Sequence, residues 1–147
     1  MAGLPYHIEV RFPLLRPDNY QVTSPPDKAY NCIAWAGGVI DRRVWPSQKG
    51  YWWPTGISQE ETTEAFIQFY ARSGYELCGN ADSENGYEKI AIYCDDGGTP
   101  EHAARQLPSG QWTSKLGEYH DITHNELDGV EIEYGYARVF MRRRRVP

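Results

Sequence analysis

The chain has 147 residues, a formal charge of −5 and a composition that is 14% aromatic, with five Trp and eleven Tyr. That length suits one domain, able to bury roughly 68–70% of its unfolded surface without covalent staples. The negative balance argues against general nucleic-acid binding, which is driven by Lys and Arg displacing counterions.

No run reaches the ~18–20 apolar residues of a membrane span, and Met1 to Pro13 lacks the basic start and apolar run of a signal peptide. The expectation is a cytoplasmic protein with no membrane partner. Three cysteines, Cys32, Cys78 and Cys94, are too few and odd in number for a secreted disulfide framework, so at least one thiol is unpaired.

In chain order, Ile8, Val10 and Phe12 alternate with His7, Glu9 and Arg11, which predicts an N-terminal strand stopped by Pro13. Pro17 to Pro26 reads as loop. Asn31 to Ala36 reads as a short buried helix stopped by Gly37-Gly38, with Cys32 in its first turn. Arg42 to Gly56, rich in Trp and Pro, reads as an ordered, aromatic-packed loop. Ser58 with Glu61 has the spacing of a capping box, opening a helix whose face is Phe66, Phe69, Tyr70 and Ser73 and whose end is Gly74.

The remainder reads as sheet, at Tyr75–Cys78, Tyr87–Cys94, His102–Leu107, Gln111–Leu116 and Tyr134–Met141, with a hairpin loop at Pro108–Gly110. Helices followed by an antiparallel meander predict a single α+β domain over residues 1–147. Arg142, Arg143, Arg144 and Arg145 read as a short basic, solvated tail.

A cysteine thiol becomes a nucleophile as its thiolate, which a helix start and a neighbouring imidazole favour. Cys32 has the first feature by sequence and is expected to be the most reactive thiol. Cys78 and Cys94, inside apolar strand patterns, read as core. His7 has no partner signal. His102 stands at a strand entrance after the turn Gly97-Gly98-Thr99-Pro100, where a side chain can reach a neighbouring helix end; a structural histidine is the even alternative. His120 and His124 flanking Asp121 form a weak metal motif in a turn-rich segment, without a CxxC or HExxH partner, so neither metal nor cofactor is expected.

The motifs Tyr30-Asn31-Cys32-Ile33-Ala34-Trp35-Ala36, His102-Ala103-Ala104-Arg105-Gln106-Leu107 and Trp112-Thr113-Ser114-Lys115-Leu116-Gly117 resemble a bacterial family known by this pattern and not by a reaction. Their order is more distantly similar to NlpC/P60 and related papain-like peptidases and amidases. That resemblance implies short helices packed on an antiparallel sheet, with Cys32 as nucleophile, His102 as base and Ser114 or Lys115 in the place of the orienting polar residue. Ile33-Ala34 departs from the Ser-Gly expected after the cysteine, and neither Ser nor Lys is the usual third residue.

Strand alternation lets only one of Ser114 and Lys115 face His102. Ser114 is the expected one, because a hydroxyl accepts from a ring N–H without adding positive charge. The expected reaction is cleavage of an amide in a peptide, protein or small-amide substrate, with Asn31, Trp45, Trp52 and Trp53 toward the substrate. Glutamine deamidation or transglutaminase-like transfer through the same pair, and a non-catalytic interaction module with Cys32 in the core, are the alternatives.

Overall fold

The computed structural model describes residues 3–146. The elements are α1 (Tyr6–Glu9), β1 (Tyr20–Ser24), α2 (Cys32–Ala36), α3 (Thr63–Ala71), β2 (Glu76–Cys78), β3 (Tyr87–Cys94), β4 (Pro100–Gln106), β5 (Trp112–Lys115), β6 (Asp121–His124), a 3-10 turn at Leu127–Val130, and β7 (Tyr136–Arg144). The seven strands form one antiparallel sheet in the order β1-β6-β5-β4-β3-β7-β2, and few short helices accompany it. The protein is a mixed α+β fold that is mostly sheet.

Both faces of the sheet are covered. On one, α2 and α3 pack Ile33, Ala34, Phe66 and Tyr70 against Ile90, Ile92, Ala103 and Met141. On the other, Leu4, Ile8, Phe12 and Leu15 cover Ala91, Tyr93, Ala104, Trp112 and Ile122. Strand β3 is buried from both sides along Ile90 to Cys94, which explains why its sequence is continuously apolar and does not alternate. Burying each of these large side chains contributes roughly 1.5–3 kcal/mol.

The N-terminal segment is helical, where alternation predicted a strand. Leu4, Ile8 and Phe12 are spaced by four and all are buried, whereas Val10 is 52% exposed. Helical spacing therefore won, and the period-2 pattern was incidental. Residues 17–26 are also not all loop, because Tyr20–Ser24 pairs with β6 and turns Tyr20 and Val22 inward. The cap of α3 is Thr62, whose side chain accepts from Ala65 N at 3.2 Å, while Ser58 Oγ accepts from Glu60 N outside the helix.

The arginine run extends β7 instead of hanging in solvent. Arg142 and Arg143 pair with β3 residues Lys89 and Glu88 in register. Their guanidiniums reach Glu76, Glu84 and Glu88 and stand over Tyr87 and Tyr75.

Candidate functional site

The start of α2 is fixed by Asn31. Its side-chain oxygen accepts from Ala34 N at 3.3 Å and Val44 N at 3.0 Å, and its Nδ2 donates to Val44 O at 2.8 Å. Asn31 is buried and its amide is engaged on both ends, so it caps the helix and anchors the aromatic loop. Cys32 follows it in the core of the helix-covered face, only 6% exposed. Burial pushes its thiol up to about 11, against the smaller opposing pull of the backbone amides of Ala103, Ile33 and Cys32 and the charge of Lys115. The resting sulfur is therefore a protonated thiol, the reverse of what a helix-start cysteine led us to expect.

The Ala103 amide places this sulfur beside the strand residue that follows His102. The β4–β5 ladder pairs Arg105 with Thr113 and Gln106 with Trp112 and stops there. Beyond that point the two strands are bridged by side chains, with His102 Nε2 lying 3.0 Å from Ser114 Oγ. Strand alternation turns the His102 ring away from the Ala103 side and toward Tyr93, its cross-strand partner, and Tyr134. Among the described residues no hydrogen bond joins the Cys32 sulfur to His102. The two share Tyr134, whose ring stacks on His102 at 4.2 Å and 6°, and whose phenol is pushed up chiefly by burial and next by Cys32.

Ser114 contacts a second imidazole. Its Oγ is 2.8 Å from His124 Nε2, and His124 Nδ1 is 2.8 Å from Glu126 O. His102, Ser114 and His124 are all fully buried. Burial pulls His124 down to about 4 and His102 well below the usual histidine range, the latter helped by repulsion from His124, so both rings are neutral. Among the described residues His102 Nδ1 is buried with no hydrogen-bond partner. His124 escaped sequence reasoning because it was weighed only as a metal ligand with His120. Both its ring nitrogens are engaged in this chain of bonds, and no group of three His, Cys, Asp or Glu side chains suited to a metal gathers among the described residues.

Lys115 points to the other face, as alternation requires. Its ammonium donates to the carbonyls of Asp27 (2.8 Å), Gly117 (3.0 Å) and Tyr119 (2.6 Å), over the ring of Tyr30. Tyr30 Oη in turn donates to Asp121 Oδ2 at 2.9 Å. Burial lowers the Lys115 pKa, countered first by Asp121 and Asp27.

The three tryptophans part company. Trp53 is core, stacked on Phe69 at 5.1 Å. Trp52 is 44% exposed and borders a separate groove of about 540 Å³ with Arg42, Phe69 and Arg72. Trp45 lines a cleft of about 400 Å³ with Glu61, Pro100, Glu101, Glu133 and Tyr134. Of these two clefts, the one at Trp45 touches the candidate site, through the Tyr134 ring that covers His102.

The family model described as a domain of unknown function, DUF7689, matches residues 21–142, well over half of the chain. The chain belongs to that family. The matched span begins inside β1 and ends within β7, so the DUF7689 domain contains Cys32, His102, Ser114 and His124 together with the whole of β2 to β6. No curated protein and no solved structure matches the chain.

Proposed function

We propose that the protein is a cysteine hydrolase with a papain-like layout, cleaving an amide in a peptide, protein or small amide. The observation that carries this reading is the state of His102: one ring nitrogen is held by Ser114 and the other is buried and bare, while the buried thiol lies across the strand beside Ala103. An imidazole oriented at one nitrogen and free at the other has the arrangement a general base needs.

In the reaction, Cys32 Sγ forms a bond to the substrate carbonyl carbon as His102 takes the thiol proton. The backbone N–H of Cys32 helps hold the oxyanion. Collapse expels the amine, which receives the proton from His102 and leaves a thioester. Water, deprotonated by His102, then releases the acid and restores the thiol. Because burial keeps both partners neutral at rest, proton transfer accompanies attack and does not precede it as a thiolate–imidazolium pair. Deamidation of glutamine follows the same steps with ammonia as the leaving group, and amide transfer differs only in the acceptor.

The test is hydrolysis of a fluorogenic peptide-amide library by the wild type and by the Cys32→Ser and His102→Ala variants, each checked for folding by circular dichroism. Turnover lost in both folded variants is expected. Turnover that survives Cys32→Ser, or a wild type that neither turns over nor forms an adduct with peptide nitriles or aldehydes, removes the reading. A second reading, a non-catalytic binding module, is favoured by one observation: the thiol is 6% exposed while Trp52 presents an open aromatic face beside Arg42, 4.6 Å from its ring.

A further inference from the structure

The hydrogen-bond chain that ends on His102 has a direction, and its direction is set at the far end. Glu126 contributes a backbone carbonyl, which can only accept, so His124 Nδ1, 2.8 Å away, carries a proton. His124 is fully buried, and its bonded neighbours are a carbonyl and a hydroxyl with no carboxylate among them. Asp128 is the one carboxylate that favours a cation there, and its pull is smaller than the cost of burying the charge, so the ring is neutral. Its Nε2 is then a bare acceptor. Ser114 has a single hydroxyl proton and gives it to His124 Nε2 at 2.8 Å, which leaves the oxygen to accept from His102 at 3.0 Å. The His102 proton consequently sits on Nε2, and its unpartnered Nδ1 is a lone pair. A charged His124 would reverse every step: it would donate to Ser114, Ser114 would donate to His102 Nε2, and the His102 proton would move to Nδ1, where no acceptor waits.

We propose that His124 is a positioning residue that fixes, through Ser114 and from the Glu126 carbonyl, the tautomer in which His102 presents an unprotonated Nδ1. The proposal deepens the hydrolase reading and rests on it for its catalytic meaning, since a base must hold a lone pair where the thiol proton arrives. The hydrogen-bond polarity itself is independent of whether Cys32 reacts.

The experiment is a long-range 1H–15N correlation spectrum of the full chain carrying 15N-histidine at pH 7.5, with His102 and His124 assigned from single-site variants. The expected spectrum has His124 protonated on Nδ1 and His102 protonated on Nε2. In His124→Phe the Ser114 hydroxyl is free to turn toward His102 Nε2, and the His102 tautomer ratio should move toward Nδ1–H by about tenfold or more, as loss of one net hydrogen-bond preference allows. If the Phe variant does not fold, Ser114→Ala carries the test, because it removes the acceptor from His102 Nε2 and should blur the ratio.

A wild-type His102 protonated on Nδ1, a doubly protonated His124, or a tautomer ratio unmoved in the folded variants overturns the proposal. The expected tautomers in a protein without Cys32-dependent turnover would overturn the hydrolase reading and leave the relay standing. Cys32-dependent turnover with reversed tautomers would do the opposite.

Discussion

The two faces of the sheet are built from different materials. The helix-covered face holds Cys32 in a mass of rings and aliphatic groups, where Phe66 meets Trp45 and Trp53 at 5.2 and 5.4 Å. The opposite face holds an apolar cover over a line of three polar side chains, His102, Ser114 and His124, each dependent on the next for its hydrogen bond. The first face is stabilised by area and shape, which tolerate conservative exchange of one apolar group for another. The second has no slack, because every buried donor there needs one particular acceptor. A chemistry shared between the faces would take its nucleophile from the tolerant side and its orientation from the exacting one.

Breaking the apolar face should have the largest effect. Phe66→Ala should cost ~3–5 kcal/mol, read by urea denaturation, with unchanged histidine tautomers if the protein still folds.

Acid should act on the polar face through its two histidines, and also on His120, lowered by burial, and on Glu84, held down by Arg142. The folded-state value of His124 is about 4, against 6.5 in the unfolded chain, so the unfolded state binds the extra proton. Stability is then fully present above pH 6.5 and falls as pH drops toward 4, by about 3 kcal/mol from this residue, with His102 shifted in the same direction. Denaturation curves between pH 8 and 4 measure it. A flat profile would show that the rings are already charged or solvated.

Ser114→Ala should cost ~1–3 kcal/mol, because it leaves an imidazole N–H and an imidazole lone pair buried without partners. With Ser114 seen only as an orienting residue for His102, little loss of thermal stability would be expected; its second bond, to His124, changes that expectation. A melting temperature equal to wild type would mean that water or a rearranged ring replaces the hydroxyl.

The smallest effect is on stability but is informative about Cys32. Its thiol, pushed up to about 11, is ionised in only about one molecule in ten thousand at pH 7. Iodoacetamide should therefore label the partly exposed Cys78 first in the resting protein. Substitution of Tyr134 by Ala should raise the Cys32 labelling rate by opening the ring stack beside it, read by mass spectrometry of the alkylated peptides.

Where a residue's own neighbours in sequence decide its place, the chain could be read. The short helix at Cys32, the span of β3 and the hairpin at Pro108–Gly110 follow from local apolar runs and their Gly and Pro stops. The proximity of Ser114 to His102 follows from that hairpin and strand alternation.

What escaped reading depends on distant residues. Strand β6, Asp121–His124, has one apolar residue and owes its strand to pairing with β1 and β5 on either side. With β6 unread, His124 had no route to Ser114. For Cys32 the sequence left open a reactive helix start or a core thiol, and the residues that share its buried cluster include Tyr70 and Ala103 from two distant segments as well as the nearby Tyr30. The N-terminal segment erred differently: its residues satisfied two periods at once, and only the sheet face it covers chooses between them.

The position of β7 bears on how the molecule is made. It lies between β3 and β2, and β2 hydrogen-bonds to no other strand. Cys78 therefore leaves the ribosome about 3–12 s before its partner Phe140, at about 5–20 residues per second. From the time β3 emerges until β7 follows it, the edge of β3 that β7 will cover is an open template for pairing with another chain. A nascent polypeptide of this design should engage holdase chaperones until residues 136–144 emerge, and any stalled translation product ending before them should be a strong aggregation nucleus.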